Sequence, residues 1–529
     1  MEADAGGRSD GHPLGAIAPA QGKSGSALVD SLRETTAIGS EGKKLRRTLA
    51  GAVILSVILL MVLYCLAIGP YWKLSPDSVT YVLGAKSLAA GKGYREAGKP
   101  VILYPPGSSI ILAAGWLAGR GSYRLLNAEV VAFGFGAMVL CFLLFRTSLG
   151  ALGSGLVVLM CLGSVTFFHS STFLLSDIFY LFFSMLGLYL YQRPGATRGT
   201  GLAVLAACAT RIIGVSLAGA LLIDSLRTRP KRWGLAAAMG LGIFFVGLWE
   251  LRNAHLGWSY VGLMIQNDPW VPSHGRISPA GILRRFAINV TTYGDYLDLV
   301  ANGIIQNPAW LLPFVLLVVL GFRRLFWRGH AATGVYFVLC AVIVNVYWPW
   351  VVTRLLLPLL PLLFAYLLAG VGVVAEKVKG KAATCVYASF AVFLLLYLTN
   401  GVRRIVAQIP EERGTQVPGQ LVKYPENYAL QRLGLWMRDH SAPGDRYACF
   451  HPTLMDLITD RVGVYYPFTD DSEALQNALQ RQRVRYVLMD LQSRQDRLML
   501  LPAIEKSGHY RLVKVEGSAR LYESEPAGH

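Results

Sequence analysis

The chain has 529 residues, of which 53% are hydrophobic and 16% charged, and carries a formal net charge of +18. Its apolar residues come in long runs rather than amphipathic patterns, which excludes an ordinary soluble domain and reads as a polytopic α-helical membrane protein. The positive surplus falls in part in short loops between the runs, where it orients helices and meets anionic lipid, so no nucleic-acid partner is needed to explain it.

In chain order, residues 1–47 read as a disordered cytoplasmic tail rich in Gly, Ala and Ser. The first apolar run starts near residue 48 without a small-residue cleavage site and reads as a retained helix. About eleven spans, and up to thirteen, fit the pattern: about 48–69, 125–145, 149–168, 173–191, 199–210, 212–226, 233–251, 307–322, 331–349, 355–374 and 383–400. The fifth and sixth are short enough to be half-helices meeting near Thr210-Arg211. With the tail inside, every inner loop is basic, as the positive-inside rule requires, and the odd count places the C-terminal segment outside. The outer loop 252–306 holds Arg284, Arg285 and Asp295 among apolar residues and an Asn289-Val290-Thr291 sequon, and reads as interfacial. Residues 401–529 turn polar and alternate strand-like stretches (446–450, 462–466, 484–490, 510–515) with helical ones (about 425–440, 471–482, 495–507), the pattern of a small extracytoplasmic α/β domain. Domain limits follow: a tail to 47, a membrane domain over 48–400, and the outer domain over 401–529.

The first outer loop carries the densest signal. Ser75 can cap a helix beginning at Pro76, with Asp77 in its first turn. Val79, Val82, Leu83, Leu88 and Ala89 share one apolar face, so this helix is expected to lie along the membrane surface until Gly91 and Gly93 end it. Tyr104-Pro105-Pro106-Gly107 then breaks the chain and opens a run too short to span alone.

Asp77-Ser78-x-x-Tyr81, Gly91-x-Gly93-Tyr94 and Tyr104-Pro105-Pro106-Gly107, all just after the first span, resemble the GT-C glycosyltransferases, specifically relatives of protein O-mannosyltransferases and lipid A aminoarabinose transferase. The resemblance implies an inverting membrane enzyme that moves a sugar from a polyprenyl-phosphate donor to a lipid, glycan or protein acceptor on the non-cytoplasmic side. It places the catalytic acid residue at Asp77, a second at Asp177, and a donor-phosphate arginine at Arg354, in an element resembling the family's Arg-x-Leu-x-Pro. Arg211, in a Thr-Arg pair also found in relatives, either contacts phosphate or pairs with Asp177. Tyr81, Lys86, Tyr104 and His169 are the remaining substrate-loop candidates. The lysine that the aminoarabinose branch tends to carry before its Pro-Pro is replaced here by Tyr104.

Each residue has a plainer reading. Asp77 complements a helix dipole, Asp177 caps a span, Arg354 snorkels beside an aromatic belt, Lys86 is a solvated charge, and His169 is an interfacial histidine with a polar neighbour. The chain lacks Cys-x-x-Cys, His-Glu-x-x-His, a phosphate-binding glycine loop and Asp-x-Asp, which favours a lipid-linked donor over a nucleotide sugar. The mechanism asks for no cofactor, although metal-binding relatives leave a divalent ion open. A flippase for a lipid-linked substrate and an assembly scaffold are the readings from other classes. A bacterial cytoplasmic membrane is the expected location.

Overall fold

A computed structural model describes residues 39–70, 76–96, 99–228, 230–269, 271–295, 301–304, 311–349, 351–413, 425–450, 452–459, 461–469 and 471–524. The tail before residue 39 and the Ser75 cap lie outside them. Helix α1 (Gly39–Leu66) starts ahead of the apolar run and leaves Ile54, Leu55, Ile58 and Leu59 exposed, a face stable in lipid and costly in water. The next segment holds α2 (Pro76–Ala89), the small hairpin β1 (Arg95–Glu96) and β2 (Lys99–Pro100), and α3 (Gly107–Ala118). Helix α4 (Tyr123–Leu162) joins the second and third expected spans and breaks at Gly150, whose φ of 70° and ψ of 175° suit glycine and end the hydrogen-bond ladder.

Next come α5 (Val165–Ser171), α6 (Asp177–Tyr191), α7 (Thr197–Thr210), α8 (Gly214–Arg227) and α9 (Trp233–His255). Helices α7 and α8 are not two halves of one broken span. They pack against each other and against α9, with Arg211 to Ile213 as the turn between them. The segment after α9 holds α10 (Tyr260–Met264) and α11 (Pro279–Asp295), followed by α12 (Leu311–Trp327) and α13 (Ala331–Tyr347). A 3-10 turn over Thr353–Leu359 leads into α14 (Leu360–Val378), and α15 (Gly380–Arg413) closes the bundle.

Among the described residues, five helices are long and apolar enough to cross a membrane: Lys44–Leu66, Tyr123–Leu162, Trp233–His255, Thr353–Val378 and Gly380–Pro410. Gly107–Ala118, Asp177–Tyr191 and Ala331–Val346 are shorter apolar helices. The protein is a multi-pass membrane protein. Its centre is the 353–378 helix, with 83% of its apolar window buried, against 11% for the first and last spans. That centre depends on close backbone approach: a Cβ on Gly321 would collide with the Tyr366 carbonyl of α14, and one on Gly370 with the Leu317 carbonyl of α12.

Beyond the bundle, α16 (Pro425–His440) covers a five-stranded sheet built from β3 (Arg446–Ala448), β4 (Val462–Val464), β5 (Tyr486–Asp490), β6 (Tyr510–Glu516) and β7 (Ala519–Ser524) in the order β4-β3-β5-β7-β6. The first three strands run parallel and β7 and β6 add antiparallel, so the expected alternation holds except for β7 and α17 (Pro452–Thr459), neither of which the sequence reading contained. Helices α18 (Ser472–Arg481) and α19 (Leu501–Ser507) complete this part.

Two expectations for the loops change. Helix α2 does not expose one face to solvent: Ser78, Val79, Thr80, Tyr81, Val82 and Ala85 are all buried, because α3 packs on one side and α17 on another. The sequon is closed off, since Asn289 is 1% exposed and its amide donates to the Asn345 and Trp348 carbonyls at 2.8 Å each. Arg285 is likewise buried and donates to the carbonyls of Met264 (2.8 Å) and Gln266 (2.6 Å), so this part of the 252–306 segment is a packed layer.

Candidate active site

Four charged residues from four separate segments meet at one end of the bundle. Arg354, second in the 3-10 turn, pairs through Nη2 with Asp77 Oδ2 in the first turn of α2. Arg211, at the turn after α7, pairs with Asp177 Oδ1 at the start of α6. Arg354 Nη1 lies 3.9 Å from Asp177 Oδ2, an oxygen with no hydrogen bond of its own, so the order is Asp77, Arg354, Asp177, Arg211 with alternating charge. Two carboxylates and two guanidiniums cancel, which is what allows this much charge away from water.

The backbone explains why these side chains converge. Pro358 and Pro361 lack the N–H that an upstream α-helix needs, so Arg354 is carried on an irregular turn before α14. Arg211 is extended, with φ −149° and ψ 139°, at the tip of the α7–α8 hairpin. Gly107 lets the Tyr-Pro-Pro-Gly turn seat against that tip, where a Cβ would come within 2.5 Å of the Ala209 carbonyl oxygen.

Tyr104 donates to Asp77 Oδ1 at 2.7 Å. Its ring packs on Tyr81 at 5.2 Å between centroids, and the Tyr81 and Ser176 hydroxyls share a 2.9 Å hydrogen bond. Leu103 holds this strand in place with a left-handed φ of 73°, a conformation unusual for leucine. Its carbonyl accepts from Trp249 Nε1 (2.9 Å) and Asn253 Nδ2 (3.3 Å) of α9. Leu103, Ser176, Trp249 and Asn253 escaped the sequence reading, because none belongs to a motif; Asn253 and Trp249 at the polar end of an apolar run were the nearest to a signal.

The Asp77 and Arg354 side chains are 20% and 30% exposed and Asp177 is sealed, so the accessible edge of the cluster is the Asp77–Arg354 pair. Burial alone would raise the Asp77 pKa. The Arg354 charge and hydrogen bond, the Tyr104 hydroxyl and Arg211 outweigh it and hold this carboxyl below its ordinary value. Burial and then the Asp77 charge push the Tyr104 phenol well up, which keeps it a donor.

One predicted residue lies elsewhere. Lys86 sits at the far end of α2, donating to the Tyr123 hydroxyl at 2.8 Å with its ammonium 4.7 Å from the Trp116 ring centroid. His169 is exposed on α5 with its ring against Phe173. Each of the two central carboxylates already faces a guanidinium, so a divalent ion there would compete with Arg354 and Arg211.

No family model and no curated protein matches the chain. Solved structures do. ArnT from Cupriavidus metallidurans in the apo state aligns over 90% of this chain and 99% of its own, at 13% identity and a TM-score of 0.57. The same protein bound to undecaprenyl phosphate gives 13% identity, 90% and 98% coverage, and a TM-score of 0.54. The Archaeoglobus fulgidus oligosaccharyltransferase complexed with zinc and sulfate gives 11% identity, 86% and 71% coverage, and a TM-score of 0.52. The architecture of this chain is therefore the GT-C fold, as the first-loop motifs implied.

Proposed function

We propose that the protein is an inverting glycosyltransferase that moves a sugar from a polyprenyl-phosphate donor to a hydroxyl-bearing lipid, glycan or protein acceptor at the non-cytoplasmic face of a cell membrane. The observation that carries this reading is the alternating Asp77–Arg354–Asp177–Arg211 cluster with its accessible edge at Asp77 and Arg354. In a GT-C fold, a base beside a phosphate-binding cation is what transfer from a glycosyl phosphate requires. ArnT, which shares the fold, is known with undecaprenyl phosphate bound, and that ligand supports the same donor class here.

In the reaction, the Asp77 carboxylate takes the acceptor hydroxyl's proton as its oxygen attacks the anomeric carbon. The glycosidic C–O bond breaks on the opposite side, and its electron pair leaves on the polyprenyl phosphate. Arg354 and Arg211 stabilise that phosphate, Arg354 through two parallel N–H donors. Asp177 holds both arginines, and Tyr104 and Tyr81 position Asp77. No step needs a metal.

The resting cluster sets an order of events. A carboxylate held low by Arg354 is a weak base, so the donor phosphate must first take the guanidinium. Anion exchange on Arg354 then releases Asp77 to act as the base. The positive-inside pattern supports a topology of about eleven spans with residues 1–47 in the cytoplasm and 401–529 outside, and the expected location is a bacterial cytoplasmic membrane.

Radiolabelled polyprenyl-phosphate sugars supplied to membranes carrying wild type or Asp77→Asn at matched expression test the reading. The variant is expected to lose ~10²–10⁴-fold in transfer rate while still retaining the donor. Transfer at the wild-type rate by Asp77→Asn would remove Asp77 from the chemistry.

A further inference from the structure

The opposite end of the bundle holds a polar cavity. Helix α6 runs 15 residues from Asp177 to Tyr191, so its C-terminus lies about 22 Å from the charged cluster. There, the ends of α6 and α8, the segment before the Gly150 break of α4, Arg232 and the turn before α13 enclose a cavity of about 620 Å³. Two arginines, Arg232 and Arg328, line it against one acid, Asp224, which is already engaged as acceptor of the Tyr191 hydroxyl at 2.8 Å.

The cavity walls are set while its cations are not consumed. His330 is 3% exposed, bonded through Nδ1 to the Gln192 amide at 3.0 Å and through Nε2 to the Ser148 hydroxyl. Thr333 is 1% exposed in the same wall. Arg232 lies over the Tyr191 ring, 4.7 Å from its centroid, and among the described residues its guanidinium reaches only the Tyr191 carbonyl, at 3.5 Å. Among the described residues the Arg328 guanidinium makes no hydrogen bond; its backbone N–H donates to the Leu325 carbonyl at 3.0 Å. A guanidinium stacked on an aromatic face, as Arg232 is on Tyr191, keeps its N–H edge available, and that edge together with the Arg328 guanidinium in the lining of one cavity matches the oxygens of a phosphate ester.

The surroundings identify the source of that phosphate. Trp327 (75% exposed) adjoins Arg328 and Trp233 (64% exposed) adjoins Arg232, the placement of membrane-interface anchors, and Ile223 beside Asp224 is an exposed apolar residue. We propose that this cavity is a binding site for the headgroup of an anionic phospholipid, with Arg232 and Arg328 on the phosphate and the acyl chains along the exposed face of α8. Basic pockets between helices at an interface take such headgroups. The proposal does not depend on the transferase reading, since it concerns the other end of the molecule.

The test uses the full-length protein in phosphatidylcholine nanodiscs doped with phosphatidylglycerol, with retained lipid counted by native mass spectrometry and unfolding followed thermally. Wild type is expected to retain phosphatidylglycerol and melt higher with it than without. Arg232→Gln/Arg328→Gln is expected to weaken retention about tenfold, and Lys381→Gln, an exposed charge outside the cavity, to leave it unchanged. Should the double variant not fold, the exposed Arg328→Gln alone is expected to lower retention about threefold. Undiminished retention in the arginine variants, or an equal loss in Lys381→Gln, overturns the site. Equal protection by inorganic phosphate in detergent overturns the lipid assignment.

Discussion

Asp77 illustrates how one carboxylate is tuned by what it touches. Its pKa is lowered in the free protein, so the ionised form and the ion pair with Arg354 persist above the ordinary carboxylate range and are lost as pH falls through the lowered folded value. The acid limb of kcat/KM, which reports the free enzyme, is therefore expected on the acid side of the ordinary carboxylate value. Once donor phosphate has taken Arg354, Asp77 has lost its principal counter-charge, so the acid limb of kcat is expected at higher pH than that of kcat/KM. Superimposable limbs in the two profiles would show that Arg354 never leaves Asp77. Tyr104→Phe removes one of the carboxylate's donors and should raise the kcat/KM limb, with the fold intact. Asp77, Asp177, Arg211 and Arg354 were legible as candidates because charge beside apolar runs is conspicuous. Ser176 and Asn253 were not, since a polar residue gains a role only when its partner from another segment arrives.

At the scale of elements, the decisive positions are glycines where two backbones meet. Gly107→Ala places a methyl against the Ala209 carbonyl and so pushes the Tyr-Pro-Pro-Gly turn away from the α7–α8 tip. Overpacking of this kind costs about 1–3 kcal/mol, and a lowered melting temperature in detergent together with weakened transfer is the expected outcome, because Arg211 is carried on that tip. Gly370→Ala should lower the melting temperature comparably through the α12–α14 crossing. It should leave the pH profile of the residual activity unchanged, since that crossing lies away from the charged cluster. Helix α2 shows the limit of reading elements by pattern. Its apolar face was visible in the sequence, but the burial of Ser78 and Thr80 was not, because α17 and the Thr80 partner Glu96 come from other segments.

At the scale of the whole molecule, the bundle and the C-terminal sheet are joined through α17 on α2, through Val271 in the sheet-side core, and through Arg494 and Asp268 at 3.4 Å. This places α17, which packs on β4, against the helix that carries Asp77. The sheet has its own pH response. Asp496 is 2% exposed and accepts from the Tyr466 hydroxyl (2.6 Å) and the Asp490 N–H (2.7 Å), and burial with the Asp490 charge pushes it up to about 7. An acid raised on folding binds more protons folded than unfolded, so stability falls as pH climbs from about 4 to 7 and levels off above, by roughly 4 kcal/mol at most. The melting temperature should accordingly be higher near about pH 5 than near about pH 8, and Asp496→Asn should flatten that slope; a wild-type curve rising with pH would contradict the assignment.

The sequence by itself determined the class of the molecule, because a long apolar run has one stable environment and each basic loop has one cheap side of a membrane. It also determined which charges stand at the ends of helices, and the strand-and-helix alternation after residue 401. Only the tertiary structure decided that Asp77 binds Arg354, 277 positions away, that Arg211 joins Asp177, that Lys86 turns to Trp116, and that Asn289 is sealed. The physical reason is the same in each case: hydrophobic patterning is local along the chain, whereas the pairing of buried charges and donors depends on which distant segments packing brings together.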